Sequence, residues 1–292
     1  MRPAAPAPFV QVTGTAWRSG AVSSAGRAIP EEVAIAVTYG RTTHAVMMAT
    51  PADLEDFAVG FSLAEGIVAT PDEITGIEPA ENALGIDLRI TLTEAQEDRF
   101  RSRRRAMAGP VGCGLCGIDS LKEVLRPAPR VADDDVTIEA ETLLAAVHAL
   151  PPLQPHNLRT RAMHAAACWS PKEGITAVRE DVGRHNALDK LCGAMARRGR
   201  AMRGGAALVT SRASVDMVQK LAVAGCPVLV AVSAPTALAV ATAEAAGITL
   251  VAIARADGFE VFTHPGRIAF GNAARPVFAP PHGIAPAAGH VA

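Results

Sequence analysis

Residues 206–254 read AALVTSRASVDMVQKLAVAGCPVLVAVSAPTALAVATAEAAGITLVAIA, and this stretch contains the pattern that predicts the fold class. Three short apolar runs, at 206–210, 227–232 and 248–254, alternate with two helical stretches, at 215–224 and 237–246. Apolar runs without polar alternation are typical of strands that are buried on both faces of a parallel sheet. The order strand, helix, strand, helix, strand therefore predicts an α/β fold. Right-handed crossovers would bring the turns that follow the strands to one edge of the sheet.

The rest of the chain divides at stretches rich in proline and alanine. Residues 1–28 are rich in Ala, Pro, Gly and Ser, which predicts a flexible tail. Residues 29–130 predict an α+β region that ends in a cysteine-containing loop, and residues 131–271 predict the α/β domain. Residues 272–292 return to Ala and Pro and predict a loose tail.

Four elements are predicted in the α+β region. β-Branched residues on both sides of Gly40 predict a hairpin. A helix is expected to begin with Thr50 as its N-cap and to end at Gly66, followed by a strand at 84–92. An arginine-rich helix is expected from Glu94 to the residue before Gly109.

Composition excludes several classes of protein. Of the 292 residues 49% are apolar and 20% charged, which is typical of a globular protein. The net charge of -1 gives no reason to expect nucleic-acid binding. The first residues lack the apolar stretch of a secretory signal, and polar residues and proline interrupt the most apolar run, Cys226 to Ala243. We therefore expect a cytoplasmic protein without a membrane partner.

Cys113 and Cys116 form a Cys-x-x-Cys pair with glycines on both sides and between them. Glycine favours a tight, exposed loop in which a thiolate can reach a large partner, and the nearby arginines 99–105 would favour the thiolate. Three interpretations stay open: a functional thiol pair, a zinc site, or no special role. A zinc site needs about four ligands, and His164 with Cys168, four residues apart on a possible helix, could complete one.

Other polar residues cluster at predicted turns. Ser211, Arg212 and Ser214 follow one apolar run, and Ser233 and Thr236 follow the next. Each turn begins a helix, so each predicts either an anion site or an ordinary N-cap. The run from Arg179 to Lys190 could orient a polar ligand; its alternative is a surface ion pair between His185 and Asp189 on one helical face. A histidine such as His164, among small apolar residues, is more often a core residue than a catalyst.

Taken together, these motifs resemble the FdhD/NarQ family of formate dehydrogenase accessory sulfurtransferases. The matching segments run in family order from about residue 30 to 270. They are 46–61, Cys113-Gly-Leu-Cys-Gly117, His164-Ala-Ala-Ala167, Glu180-Asp-Val-Gly-Arg-His-Asn-Ala-Leu-Asp-Lys190, Ser211-Arg-Ala-Ser214 with Met217-Val-Gln-Lys220, and Ala231-Val-Ser-Ala-Pro-Thr236.

The resemblance implies a function. A cysteine desulfurase would supply sulfur as a persulfide, with Cys113 as its carrier and Cys116 as the helper. The sulfur would pass to a molybdenum cofactor with two guanine-dinucleotide pterins before that cofactor enters formate dehydrogenase. The resemblance also implies a homodimer and a C-terminal three-layer α/β/α domain of cytidine-deaminase-like fold, without deaminase zinc chemistry.

The resemblance and the turns together predict the cofactor-binding residues. The family's segment for the guanine-dinucleotide moiety matches Ile253, Ala254, Arg255, Ala256, Asp257 and Gly258. We add the two turns and two histidines: Ser211, Arg212, Ser214, Ser233, Thr236, His164 and His185. GDP-like nucleotides are expected to mimic the cofactor, and no resident metal is expected.

The chain departs from the family pattern at Arg161, where the family usually has glycine, so we expect the bulky side chain to block or reshape a close backbone approach. Ala256-Asp257 also stands where Pro-Gly is found in some members. Two other functions remain open: a chaperone that only holds the cofactor, and a zinc-stabilised interaction module.

Overall fold

The first element is a hairpin that projects from the N-terminal region. The computed structural model describes residues 6–108, 127–132 and 136–271, with side chains described except at 103–108. Strands β1 (Phe9–Arg18) and β2 (Ala21–Pro30) pair antiparallel around Ser19 and Gly20, which both have positive φ. We call this hairpin the arm. It corrects the prediction of a flexible tail over 1–28, because alternating Val and Thr residues favour extended backbone and Ser-Gly suits a tight turn.

The N-terminal region contains a four-stranded sheet. Its order is β4-β3-β6-β5, with β3 parallel to β6 and the other pairs antiparallel. The strands are β3 (Val33–Tyr39), β4 (Thr42–Ala49), β5 (Ile74–Asn82) and β6 (Gly85–Leu92). Helices α1 (Leu54–Ala64) and α2 (Glu94–Ala108) contribute Phe57, Phe61 and Phe100 to its core. The predicted hairpin, strand and two helices are confirmed, but α1 begins after Asp53 and not after Thr50.

The C-terminal region contains a six-stranded sheet in the order β13-β12-β11-β10-β8-β9. The three central strands, β10 (Ala206–Val209), β11 (Val228–Ala231) and β12 (Thr249–Arg255), are parallel, as predicted. Strands β8 (His164–Ser170) and β13 (Gly258–Val261) pair antiparallel with β10 and β12, and the edge strand β9 (Gly174–Asp181) pairs antiparallel with β8. The segment from His164 to Cys168 is therefore a strand, and its interpretation as a possible helix is wrong. Its run of small buried residues suits a strand between two covered faces.

Helices cover both faces of this sheet, which confirms the α/β class. One face packs against α5 (Arg184–Arg197), α6 (Val215–Val223) and α7 (Ala237–Ala246). The other packs against α3 (Ala140–Ala149) and the short parallel pair β7 (Ile138–Glu139) and β14 (Ile268–Ala269). A short helix, α4 (Pro155–Thr160), contacts the base of the arm. Within the described ranges, none of the helices has the length and apolar character needed to cross a membrane.

Helix α1 of the N-terminal region packs closely on α5 of the C-terminal region. A Cβ atom on Gly60 would lie 1.8 Å from the backbone oxygen of Asp189, and a Cβ on Gly193 would lie 1.8 Å from the backbone oxygen of Asp56. The Asp56 carboxylate also accepts hydrogen bonds from Arg179 (2.6 Å) and Arg197 (2.6 Å). The two helices can approach this closely because both contact positions lack a side chain.

Candidate functional site

The predicted cofactor-binding residues meet at one edge of the six-stranded sheet. The carboxyl ends of parallel β10, β11 and β12 lie there. Strand β8 runs the other way, so it begins at the same edge: the Ala165 N–H donates to Thr210 Oγ1 (2.9 Å) just past the end of β10. We call this region the carboxyl edge. It corresponds to the edge at which open α/β sheets bind ligands.

The two serine turns lie side by side at the carboxyl edge. Ala213 and Pro235 form a parallel bridge, and the Thr236 N–H donates to the Ala213 carbonyl (3.0 Å). Thr236 is an ordinary N-cap, since its hydroxyl accepts from the Ala239 N–H (3.2 Å). Ser214 begins α6 without such a bond, and its Oγ is buried with no hydrogen-bond partner in the described part of the chain. A buried hydroxyl without a partner is costly, so Ser214 favours the ligand-binding interpretation of its turn.

The segment Ile253–Gly258 leaves the sheet at the same edge with strained backbone. Ile253 has φ +53°, in the left-handed region that β-branched residues strongly disfavour, and the β12–β13 register shifts here. Its N–H donates to the Ser233 carbonyl (3.3 Å), which fixes the segment to the second serine turn. Arg255, Ala256 and Asp257 are exposed, whereas Ala254 is buried in the core. The segment therefore presents its backbone and three exposed residues, whereas the Ala254 side chain packs into the core.

Two histidines and an arginine complete the edge. His164 begins β8 opposite Asp181, and burial lowers its pKa, with a further reduction from the Arg184 guanidinium. His164 is therefore neutral near pH 7. His185 Nδ1 lies 2.5 Å from Asp216 Oδ2, a close contact without the alignment of a hydrogen bond.

Arg184 is a further candidate site residue, which the sequence predicted only as one member of the polar run from Arg179 to Lys190. It is the first residue of α5, and its Nε is buried with no hydrogen-bond partner among the described residues. Because an arginine donor prefers a carboxylate or phosphate oxygen, Arg184 and Ser214 together favour an anionic ligand at the carboxyl edge. Arg212 is exposed beside them and can add a second positive charge.

Other members of the Arg179–Lys190 run are structural. Lys190 and Asp181 form a fully buried ion pair (2.6 Å). Asp181 also accepts from the N–H groups of Thr50 (3.0 Å) and Gly183 (2.7 Å), and this holds the turn that precedes Arg184. The proposed pairing of His185 with Asp189 is wrong, because Asp189 is buried and paired with Lys220 (2.8 Å). Burial raises the pKa of Asp189 to about 6, although Lys220 acts in the opposite direction.

The backbone at position 161 has a conformation that suits glycine better than arginine. It follows the last residue of α4 with φ +57°, and its N–H donates to the Asn157 carbonyl. Glycine adopts this left-handed conformation without strain, whereas an arginine there is strained. The Arg161 side chain is exposed.

The cysteines divide into two groups. Cys113 and Cys116 lie outside the described residues. Cys168, Cys192 and Cys226 are buried thiols that form no disulfide within the described residues, and burial raises the pKa of Cys168 and Cys192. Burial makes all three poor nucleophiles, and the raised pKa adds to this for Cys168 and Cys192.

A shared zinc site of His164 and Cys168 is contradicted by the strand. Four residues along a strand span about 13 Å, too far for two ligands that must each lie about 2 Å from one zinc ion. In the portion of the chain that is described, no group of three or more His, Cys, Asp or Glu residues could hold a metal ion.

The chain is similar to proteins of one family in both sequence and fold. The model of the FdhD/NarQ family matches residues 30–269. A protein from Agrobacterium fabrum named sulfur carrier protein FdhD is 54% identical over 262 residues, covering 90% of this chain and 97% of that protein. Proteins of the same name from Brucella abortus and Cupriavidus necator are 51% and 48% identical, over 87% and 86% of this chain and 94% and 87% of theirs. A crystal structure from Desulfotalea psychrophila, assigned as a formate dehydrogenase accessory protein, has a TM-score of 0.70 and 26% identity, covering 89% of this chain and 99% of that one.

Proposed function

Because the chain belongs to the FdhD/NarQ family, we propose that it is a sulfur carrier for the maturation of formate dehydrogenase. The observation that carries the proposal is the division of the cysteines. Of the five in the chain, Cys168, Cys192 and Cys226 are buried in the core of the C-terminal region. This division supports our proposal that Cys113 and Cys116 carry the sulfur chemistry.

We propose that sulfur is received by thiol–persulfide exchange. The Cys113 thiolate attacks the outer sulfur of a persulfide on a cysteine desulfurase, which has converted L-cysteine to alanine. A sulfur–sulfur bond forms on Cys113, the bond on the desulfurase breaks, and the desulfurase cysteine leaves as a thiolate. No net oxidation occurs in this step, because one persulfide replaces another.

We propose that delivery uses Cys116. Its thiolate attacks the inner sulfur of the persulfide, which belongs to Cys113, and a disulfide forms between the two cysteines. The outer sulfur leaves as sulfide for the molybdenum of the cofactor. The two cysteines supply the two electrons that reduce the sulfur, and a cellular dithiol must later reduce the disulfide. This chemistry explains why the helper cysteine is close in sequence.

We propose that the carboxyl edge holds the cargo, a molybdenum cofactor with two guanine-dinucleotide pterins. Its pyrophosphates are polyanionic, and the edge offers Arg184 Nε, Ser214 Oγ, exposed Arg212 and the N-termini of α6 and α7. Neutral His164 adds a polar group without a charge. The proposed partners are a cysteine desulfurase, formate dehydrogenase and a second copy of the chain.

Intact-mass spectrometry tests the carrier step. Wild type, Cys113→Ala and Cys116→Ala are incubated with an active cysteine desulfurase and L-cysteine, with Cys168→Ala as a buried-cysteine control. We expect an adduct of about 32 Da, one sulfur atom, on all forms except Cys113→Ala. The Cys116→Ala adduct should form but release sulfide slowly.

Absence of an adduct on wild type would favour a chaperone that only holds the cofactor. Titration with GDP tests this holding function separately, since it needs no cysteine. Binding of GDP that is lost in Arg184→Gln but kept in Cys113→Ala supports the carboxyl edge as the cargo site.

A further inference from the structure

A cavity lies at the edge of the six-stranded sheet opposite the carboxyl edge. Strand β8 begins at the carboxyl edge and ends at this cavity with Ser170. The seven residues of β8 span about 20 Å, so the cavity is separated from the carboxyl edge by the depth of the sheet. Its lining comes mainly from 168–173 and 200–205. We call it the amino-edge pocket.

The amino-edge pocket has the size and the apolar lining of a small-molecule site. Its volume is about 530 Å³, within the range of about 300–1,000 Å³ that is usual for such sites. Cys168, Met195 and Met202 line it and belong to the core on one face of the sheet, whereas Trp169 and Val136 belong to the core on the other. The pocket therefore encloses the end of β8. Flexible methionine side chains can adapt to an apolar ligand.

The two walls of the pocket are held together, so its shape is largely formed before a ligand arrives. The loop before β10 lies against β8, because a Cβ on Gly205 would be 2.1 Å from the Trp169 backbone oxygen. In the β8–β9 turn, the Glu173 N–H donates to Ser170 Oγ (3.2 Å). The Glu173 carboxylate forms an ion pair with Arg200, which joins this turn to the loop before β10.

The charged residues that line the pocket give it a positive charge. They are three cations, Lys172, Arg200 and Arg203, and one carboxylate, Glu173, which leaves a net charge of +2. Glu173 pairs with Arg200, whereas Lys172 and Arg203 have no ion-pair partner among the described residues. Both are exposed, one on each wall. The Ser170 hydroxyl accepts from Glu173 and keeps its own hydrogen to donate.

We propose that the amino-edge pocket binds a small organic anion with an apolar body and one acidic group. The apolar body would lie on Met195 and Met202, and the acidic group would lie between Lys172 and Arg203. Ammonium and guanidinium donors bind carboxylate, sulfonate or phosphate oxygens through charge-assisted hydrogen bonds. This site is distinct from the carboxyl edge, and the proposal depends neither on sulfur transfer nor on the cargo.

Fluorescence titration of the full chain with anilinonaphthalene sulfonate tests the site. This probe has an aromatic body and one sulfonate, and its emission rises in apolar surroundings. We expect saturable binding to wild type that weakens as salt is added. Lys172→Gln with Arg203→Gln should weaken it by about tenfold or more. Arg18→Gln with Arg41→Gln removes the same charge at exposed positions elsewhere and should leave it unchanged.

A second variant tests the cavity without changing its charge. Ala201 is exposed and lines the pocket, so Ala201→Trp should occupy it and abolish the saturable binding. Ala83→Trp, at the exposed turn between β5 and β6, is the matched control. Urea unfolding of each variant should match that of wild type, which separates loss of the site from loss of the fold.

The proposal is overturned if wild type shows no saturable binding, or if the charge variant and Ala201→Trp bind the probe as wild type does. Displacement of the probe by GDP overturns it as well, because that result would place the probe at the carboxyl edge. Persulfide loading is measured in parallel and should be the same in all variants, so failure of this site and failure of sulfur transfer remain distinguishable.

Discussion

Replacing Lys190 by methionine should strongly destabilise the protein. Lys190 is fully buried, and its Nζ donates to Asp181 (2.6 Å) and to the Thr50 carbonyl (2.9 Å). Methionine fills similar space but leaves the Asp181 carboxylate buried without a counter-charge. Breaking a buried ion pair in this way costs about 3–5 kcal/mol. For a chain of this size the loss corresponds to a fall in Tm of about 2–4 °C for each kcal/mol.

Urea unfolding and a thermal scan measure the loss, with exposed Lys172→Met as the control. A double-mutant cycle identifies its cause. Asp181→Asn removes the uncompensated charge, so the double variant should be more stable than the sum of the two single losses predicts. If Lys190→Met lowers the free energy of unfolding no more than Lys172→Met, the buried ion pair does not stabilise the protein as proposed. The same conclusion follows if the losses from Lys190→Met and Asp181→Asn simply add in the double variant.

Three further predictions follow from the backbone and from charge. Arg161→Gly should raise the free energy of unfolding by about 1 kcal/mol, since glycine relieves the left-handed strain. Arg159→Gly inside α4 should lower it, because glycine is a poor helix former. Urea unfolding measures both variants, and a lower stability of Arg161→Gly would show that the backbone at 161 is not strained. Gly60→Ala should destabilise the protein by about 1–3 kcal/mol despite the better helix propensity of alanine, because its Cβ meets α5 backbone; a neutral result in the same assay would show that the helices can move apart. His164 should titrate below its usual pKa in an NMR pH series. The stability it contributes is therefore present above the unfolded pKa of about 6.5 and is lost as the pH falls through the folded pKa. Arg184→Gln should raise the folded pKa of His164, and an unchanged pKa would refute the charge effect.

The sequence predicted the parallel core of the fold because its signals are local. Apolar runs, the serine turns and Gly247 at the end of α7 each indicate their own structure within a few residues. The arm was missed because an Ala- and Gly-rich composition hid its alternating Val and Thr residues. Strand β8 was missed because its small apolar residues suit a helix or a strand equally, and only pairing with β9 and β10 decides between them.

The candidate site also combines features with local sequence signals and features that depend on long-range contacts. Both serine turns were predicted at one edge, because parallel strands end together, whereas His164 was predicted as a cofactor-binding residue without a place at that edge. The distinct role of Arg184 could not be predicted, since it depends on a network in which Thr50, 131 residues from Asp181, holds the turn before α5. The left-handed Ile253 also has no signal in sequence, because a β-branched residue normally predicts extended backbone.

During synthesis on the ribosome, α1 is made well before α5, so their contact can form only after a delay. Asp56 lies 141 residues before its partner Arg197 at the end of α5, so at about 5–20 residues per second Arg197 is added roughly 7–28 s after Asp56. Throughout that interval α1 presents the face that will later meet α5. Gly60 at the centre of this face adds no apolar side chain. A nascent chain with a glycine there offers other proteins less surface to adhere to, so the residue that allows the close approach also limits misassembly before it.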